Sequence, residues 1–147
     1  MIFDALFGDP AVTAVLSDSS LVSAMLRVEV ALARAEAAIG IIPARAVDAI
    51  EQSANAADYD LVALATEAAS AGNLAIPLVR HLTERVARID ADSARYVHWG
   101  ATSQDIIDTA MVLQLRDATS HILASLERAS DAAAVLAKRH ATTVSLQ

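Results

Sequence analysis

The chain has 147 residues and a net charge of −7, and 55% of its residues are hydrophobic while only 3% are aromatic. The acidic balance disfavours nucleic acid as a partner, because phosphate binding needs a basic surface. The lack of cysteine excludes disulfides and thiolate metal sites. With no long uncharged apolar run and no secretory signal pattern, we expect a cytoplasmic protein without a membrane span. A core of Ala, Leu, Val and Ile suits packing between helices.

The chain opens with a mixed apolar arm and then a long amphipathic helix. Asp9 and Pro10 begin a short helix at the end of the arm. Asp18 or Ser19 is expected to cap the long helix, and Gly40 to end it. Its apolar stripe steps by three and four residues and consists of Leu21, Met25, Val28, Leu32, Ala35 and Ile39.

The charged residues of that helix, Arg27, Glu29, Arg34 and Glu36, are interpreted as a solvated or subunit-facing edge. Three shorter helices follow it. The first runs from Pro43 to about residue 55, the second is capped by Asp60, and the third begins between residues 73 and 77.

The strongest local signal starts the last helix. Thr102 and Asp105 stand three apart before an apolar pair, which is the spacing of a capping box, and Gly100 allows a tight turn before it. The helix runs from Thr102 to about His140 and carries two apolar faces. A helix of that length needs neighbours from its own chain or from other subunits. Its two faces are Ile107, Met111, Leu115, Ala118, Ile122, Leu126, Ala129, Ala133 and Leu136, and Ile106, Ala110, Leu113 and Leu123.

The segment His98-Trp-Gly-Ala-Thr-Ser-Gln-Asp105 resembles the first signature region of the fumarase/aspartase superfamily, the class II lyases. The branch that it resembles most is that of the 3-carboxy-cis,cis-muconate cycloisomerases, which act in aromatic degradation through protocatechuate. The resemblance implies an all-α homotetramer. Residues 1–100 then form an N-terminal helical domain, and residues 101–147 the first long helix of the central bundle, cut short.

The resemblance also implies a small polycarboxylate substrate and names the residues that bind it. These are His98, Thr102, Ser103, Gln104 and Asn73, although Asn73 is equally well interpreted as a helix cap. The general acid and base are expected in two other signature regions, so that this chain alone is expected to be inactive. No cofactor and no metal is implied, and the four histidines show no paired ligand spacing.

Two alternatives remain open at the level of the sequence. The first is a branch of the same family similar to adenylosuccinate lyase, which usually carries a Glu-His-Asp pattern near the position of Asn73. This chain lacks that pattern. The second is a non-catalytic helical module for oligomerisation.

Overall fold

The structure is a computed structural model and describes residues 6–144. The first part of the predicted apolar arm, residues 1–5, lies outside this range. Between residues 6 and 144 all regular structure is helical, as predicted, and no helix there is both long and apolar enough to cross a membrane. The α-helices are α1 (Pro10–Val15), α2 (Asp18–Ala38), α3 (Ala44–Ser53), α4 (Leu61–Ala71), α5 (Ala75–Ile89) and α6 (Ser103–Arg139), with 3₁₀ turns at Ala56–Asp58 and Ala94–Tyr96.

Side-chain caps explain where most of these helices begin. Asp9 accepts hydrogen bonds from the first amides of α1, and Asp60 does the same for α4, as the sequence predicts. The cap of α2 is Ser17, which accepts from the amide of Ser20. The expected cap at Asp18 or Ser19 was therefore one or two residues too late.

Helix α2 lies at the centre of the fold. It packs against α6 on one side and α3 on another, while α5 packs against α3, α4 and α6. The core contains many small residues, which let the helix axes approach closely. Its largest fully buried side chains are Met25, Leu26, Ile50, Leu64, Leu78, Leu82, Val86 and Ile106.

The buried face of α2 differs from the predicted stripe by one residue. Apart from Met25, the members of the predicted stripe are exposed or only partly buried, and Ile39 is 74% exposed. A shift of one residue rotates a helix face by about 100°. The face that is actually buried therefore includes two glutamates that the predicted stripe left out. The buried residues of α2 are Val22, Ala24, Met25, Leu26, Glu29, Ala33 and Glu36.

Helix α6 is continuous, as predicted, and begins with the expected capping box. The Thr102 hydroxyl accepts from the Asp105 amide at 3.4 Å, and the Asp105 carboxylate accepts from the Thr102 amide at 2.9 Å. Further along, the buried amide of Gln114 donates to the carbonyls of Val15 and Ser17 at 2.8 and 3.4 Å. The middle of α6 is thereby tied to the end of α1.

The second half of α6 extends beyond the rest of the fold. The buried residues of the whole helix are Ile106, Ala110, Gln114 and Ala118, and no residue of α6 after Ala118 is buried. Most of the stripe predicted as its main packing face is therefore exposed in this chain. The exposed large apolar residues of α6 are Met111, Val112, Leu115, Ile122, Leu123, Leu126, Val135 and Leu136.

Removing the cap of α6 should destabilise the protein. We expect Thr102→Ala to lower the free energy of unfolding by about 1 kcal/mol, because a first-turn amide loses its acceptor. Thr109→Ala, on an exposed position of the same helix, is the matched control and should be neutral or slightly stabilising, since alanine is the better helix former. Urea denaturation followed by circular dichroism compares the two. Equal effects of both substitutions would contradict a stabilising cap.

Candidate functional site

The loop that leads into α6 has an unusual backbone. Two of its residues adopt the left-handed conformation, Gly100 at φ 69° and His98 at φ 58°. Glycine takes this conformation freely, but for histidine it costs about 1–3 kcal/mol, which the surrounding structure must offset. Strained residues of this kind occur preferentially at functional sites. The loop therefore holds His98 in a position that a relaxed chain would not adopt.

His98 is held by a buried carboxylate on α2. Its Nδ1 donates to Oε1 of Glu29 at 2.6 Å, and only 17% of the imidazole and 1% of the Glu29 side chain are exposed. This hydrogen bond raises the pKa of His98, burial opposes the rise, and the charges of Glu29 and Asp105 add to it. The protonated form of the imidazole is thus favoured more than in an ordinary histidine.

A second carboxylate, Glu36, lies two turns further along the same face of α2. Burial, and then the charge of Glu29, raise the pKa of Glu36. Oε2 of each glutamate is buried and has no hydrogen-bond partner among residues 6–144. A Cβ on Gly100 would lie 4.0 Å from Oε1 of Glu36, so that this carboxylate lies next to the loop.

The expectation that Glu29 and Glu36 lie on a solvated edge was wrong, whereas Arg27 and Arg34 are exposed as predicted. The sequence does contain a signal. The two glutamates are seven residues apart and continue a heptad that starts at Val22. Interpreting that heptad as the buried face would have identified them.

The predicted binding residues at the start of α6 differ in their hydrogen-bond partners. Thr102 is engaged with Asp105, whose pKa is lowered by hydrogen bonds from the Thr102 amide and hydroxyl and by the charge of His98. Gln104 lies on the exposed side and donates to the Asp108 carboxylate of its own helix. Ser103 is half-buried, and its hydroxyl makes no hydrogen bond with another residue of the described range. The Ser103 hydroxyl is therefore available to a ligand in the part of the chain that the structure describes.

Asn73 lies at the start of a different helix. Its Oδ1 accepts from the Ala75 amide at 2.8 Å, but the N-cap residue of α5 is Leu74 and not Asn73. Its side-chain nitrogen makes no hydrogen bond within residues 6–144. Within residues 6–144, no hydrogen bond or ion pair connects Asn73 to the loop that carries His98.

Contacts on the outer side support the loop. The rings of Tyr96 and Trp99 lie 5.9 Å apart, and the Arg95 guanidinium stacks over Tyr96. Just before them, the buried Ser93 hydroxyl donates to the Asp90 carboxylate at 2.5 Å. These contacts fix the entry of the chain into the turn.

This arrangement is suited to binding an anion. An imidazole with a raised pKa, a hydroxyl without a hydrogen-bond partner in residues 6–144 and the first amides of a long helix belong to one segment at a helix N-terminus. Within residues 6–144, no group of three or more His, Cys, Asp or Glu side chains is placed to hold a metal ion. A separate apolar groove, between α2 and α4, is lined by other residues.

Over most of its length this chain is similar to known enzymes. The sequence model of a protein family described as "Lyase" matches residues 8–146. The 3-carboxy-cis,cis-muconate cycloisomerase of Bradyrhizobium diazoefficiens is 55% identical over 133 residues, which cover 90% of this chain and 30% of that protein. The nitrosuccinate lyase of Streptomyces davaonensis is 42% identical over 132 residues, covering 90% of this chain and 28% of that protein.

A solved structure of an enzyme with this activity is similar to the fold of this chain. The beta-carboxy-cis,cis-muconate cycloisomerase of Acinetobacter calcoaceticus superimposes with a TM-score of 0.90 at 45% identity. The match covers 95% of this chain and 33% of that one. The chain therefore spans a third or less of the length of each of these proteins.

The buried Glu36 should make stability depend on pH. Its pKa in the folded protein lies above its ordinary value of 4.5, so folding disfavours the ionised form. The resulting loss of stability is absent at low pH and complete above the raised pKa. We expect Glu36→Gln to be more stable than the wild type at pH 8, with a difference that disappears towards pH 4.

Urea denaturation at several pH values measures this difference. Glu127→Gln, on the exposed part of α6, is the control and should change the free energy of unfolding by no more than about 0.5 kcal/mol. A difference between Glu36→Gln and the wild type that stays constant from pH 4 to pH 8 would rule out the effect.

Proposed function

Because this chain belongs to the lyase family of the fumarase/aspartase superfamily, we propose that it is the amino-terminal part of an enzyme that lactonises 3-carboxy-cis,cis-muconate. In this reaction one substrate carboxylate adds to a carbon–carbon double bond and closes a γ-lactone, and a proton is delivered to the neighbouring carbon. The product is an isomer of the substrate. Support comes from two relatives at 45% and 55% identity that are named for this activity. We further propose that the enzyme acts in the degradation of aromatic compounds.

The observation that carries the proposal is the hydrogen bond between the His98 imidazole, in the loop before α6, and Glu29. During lactonisation, negative charge builds up on the carboxylate next to the reacting double bond. Donors that are already oriented towards that carboxylate stabilise the transition state more than the substrate. His98, held by Glu29 at 2.6 Å and favoured in its protonated form, is such a donor.

We assign roles to the predicted binding residues accordingly. His98 binds and orients a substrate carboxylate, and the Ser103 hydroxyl donates to the same group together with the first amides of α6. Thr102 contributes chiefly as the cap that keeps those amides in place. Gln104 and Asn73 are supplementary contacts, since Gln104 already bonds within α6 and Asn73 already bonds the first amide of α5. The general acid and base are assigned to other parts of the enzyme.

A lyase that acts on a succinate derivative is the second candidate. The relative named nitrosuccinate lyase is 42% identical over the same region, and eliminating a group next to a carboxylate develops the same charge. Turnover of carboxymuconate, nitrosuccinate and adenylosuccinate by the full-length enzyme separates these activities. We expect turnover of carboxymuconate, and turnover of either other substrate alone would refute the first candidate.

The exposed face of α6 supports a proposal about assembly. Apolar surface of this extent marks an interface in proteins of known structure, and we propose that α6 packs against α6 of other subunits in a homotetramer. We place the domain boundary at the loop before α6, near residue 100. In this proposal the 147-residue chain alone is inactive, and cytoplasmic location remains a prediction of the sequence.

Ser103→Ala tests the assigned site. Loss of one oxyanion donor should raise the activation free energy by about 2–4 kcal/mol, so that both kcat and kcat/KM fall while stability is retained. Ser120→Ala removes a hydroxyl from an exposed position of the same helix and should leave turnover unchanged. If Ser103→Ala turns over carboxymuconate normally, the site assignment is wrong.

The assembly proposal has its own test. Sedimentation of the chain at micromolar concentration should show self-association, because burying the exposed face of α6 removes apolar area from water. Leu126→Glu should shift the population towards monomer. Val62→Glu, an exposed apolar position on α4, is the control and should not. A monomeric wild-type chain at these concentrations would count against the proposal.

A further inference from the structure

We propose that Glu29 is a positioning residue. Its buried carboxylate fixes the imidazole of His98 through Nδ1 and leaves the other ring nitrogen to donate to a substrate carboxylate. This inference rests on the proposed function for the identity of the substrate, but not for the state of the imidazole. It adds a residue from α2 to a site that the sequence placed at Asn73, in the loop before α6 and at the start of α6.

The first argument is the geometry of the contact. Nδ1 of His98 and Oε1 of Glu29 are 2.6 Å apart, and Glu29 is 2% exposed. An ionised carboxylate only accepts hydrogen bonds, so Nδ1 must carry the proton. In the neutral imidazole the proton then resides on Nδ1, and in the imidazolium both nitrogens donate. Nε2 makes no hydrogen bond with any residue between 6 and 144 and remains available.

The second argument is the backbone. His98 is the only residue other than glycine with a positive φ in the described range. A residue keeps such a conformation when its surroundings determine it. On one side of His98 the loop is constrained by Gly100 and the capped start of α6. On the other, the side-chain contact to Glu29 connects it to the central helix.

The third argument is the balance of charge. Two carboxylates act on the imidazole, Glu29 from α2 and Asp105 from α6, and a third, Glu36, acts on Glu29. Without a positive charge on His98, an anionic substrate would approach an acidic environment. The contact with Glu29 is the largest cause of the raised pKa of His98. Glu29 thus favours the charged form of His98, which is the form that attracts an anion.

Nuclear magnetic resonance of this chain tests the proposal without a substrate. The ring signals of His98 are assigned by their loss in His98→Gln and are titrated with pH. In Glu29→Gln the pKa of His98 should move downwards, because the amide keeps an acceptor near Nδ1 but removes the charge. Glu36→Gln is the control and should leave the titration of His98 close to that of the wild type.

The wild type alone gives an independent readout. At high pH, ring nitrogen shifts should show that neutral His98 carries its proton on Nδ1. This measurement keeps the proposal testable even if Glu29→Gln does not fold. A proton on Nε2, or an unchanged titration of His98 in folded Glu29→Gln, would overturn the proposal.

The full-length enzyme provides the functional readout. In Glu29→Gln the alkaline limb of the kcat/KM profile should move to lower pH by the same interval as the titration of His98, and acidic pH should restore activity. A loss that is equal at every pH would mean that Glu29 only supports the fold. Absence of carboxymuconate turnover in the wild type would refute the proposed function, while the titrations would still decide the role of Glu29.

Discussion

The structure depends on the compensation of one buried negative charge. Glu29 lies in the central helix with almost no access to water, and a carboxylate in such a place is strongly unfavourable unless it is paired. The imidazole of His98 supplies the pairing. To reach it, the loop takes a left-handed turn, and the turn leads directly into the cap of α6. The orientation of α2, the loop conformation and the start of α6 are therefore mutually dependent.

Much of the fold could be predicted because much of it is specified locally. The caps at Asp9, Asp60 and Thr102 each satisfy amides within three residues, so that their spacing in the sequence is sufficient to locate them. The buried face of α2 is different. Apolar residues occur on several of its faces, and only packing against α3 and α6 decides which is covered. The predicted stripe was consequently displaced by one residue.

The same distinction applies to the candidate site. The loop and the first turn of α6 form one contiguous segment that resembles a known signature, and the sequence therefore indicated it. The heptad on α2 indicates that the two glutamates are buried, but no local pattern encodes the contact between Glu29 and the distant loop. In α6 the sequence showed two apolar faces but not which one the chain itself covers. The structure shows that Ile106 and Ala110 are buried, whereas Met111 and Leu115 are exposed.

The contact between His98 and Glu29 joins residues 69 positions apart, and this separation has a consequence for folding. Helix α6 and its cap are local and can form early. The backbone strain at His98 is offset by the contact with Glu29 only after α2 has docked. Closing a loop of that length carries an entropic cost that must be met before the contact contributes. We therefore expect the contact between His98 and Glu29 to form late in folding. A chain with its helices formed but α2 undocked would have native-like secondary structure and would lack this contact.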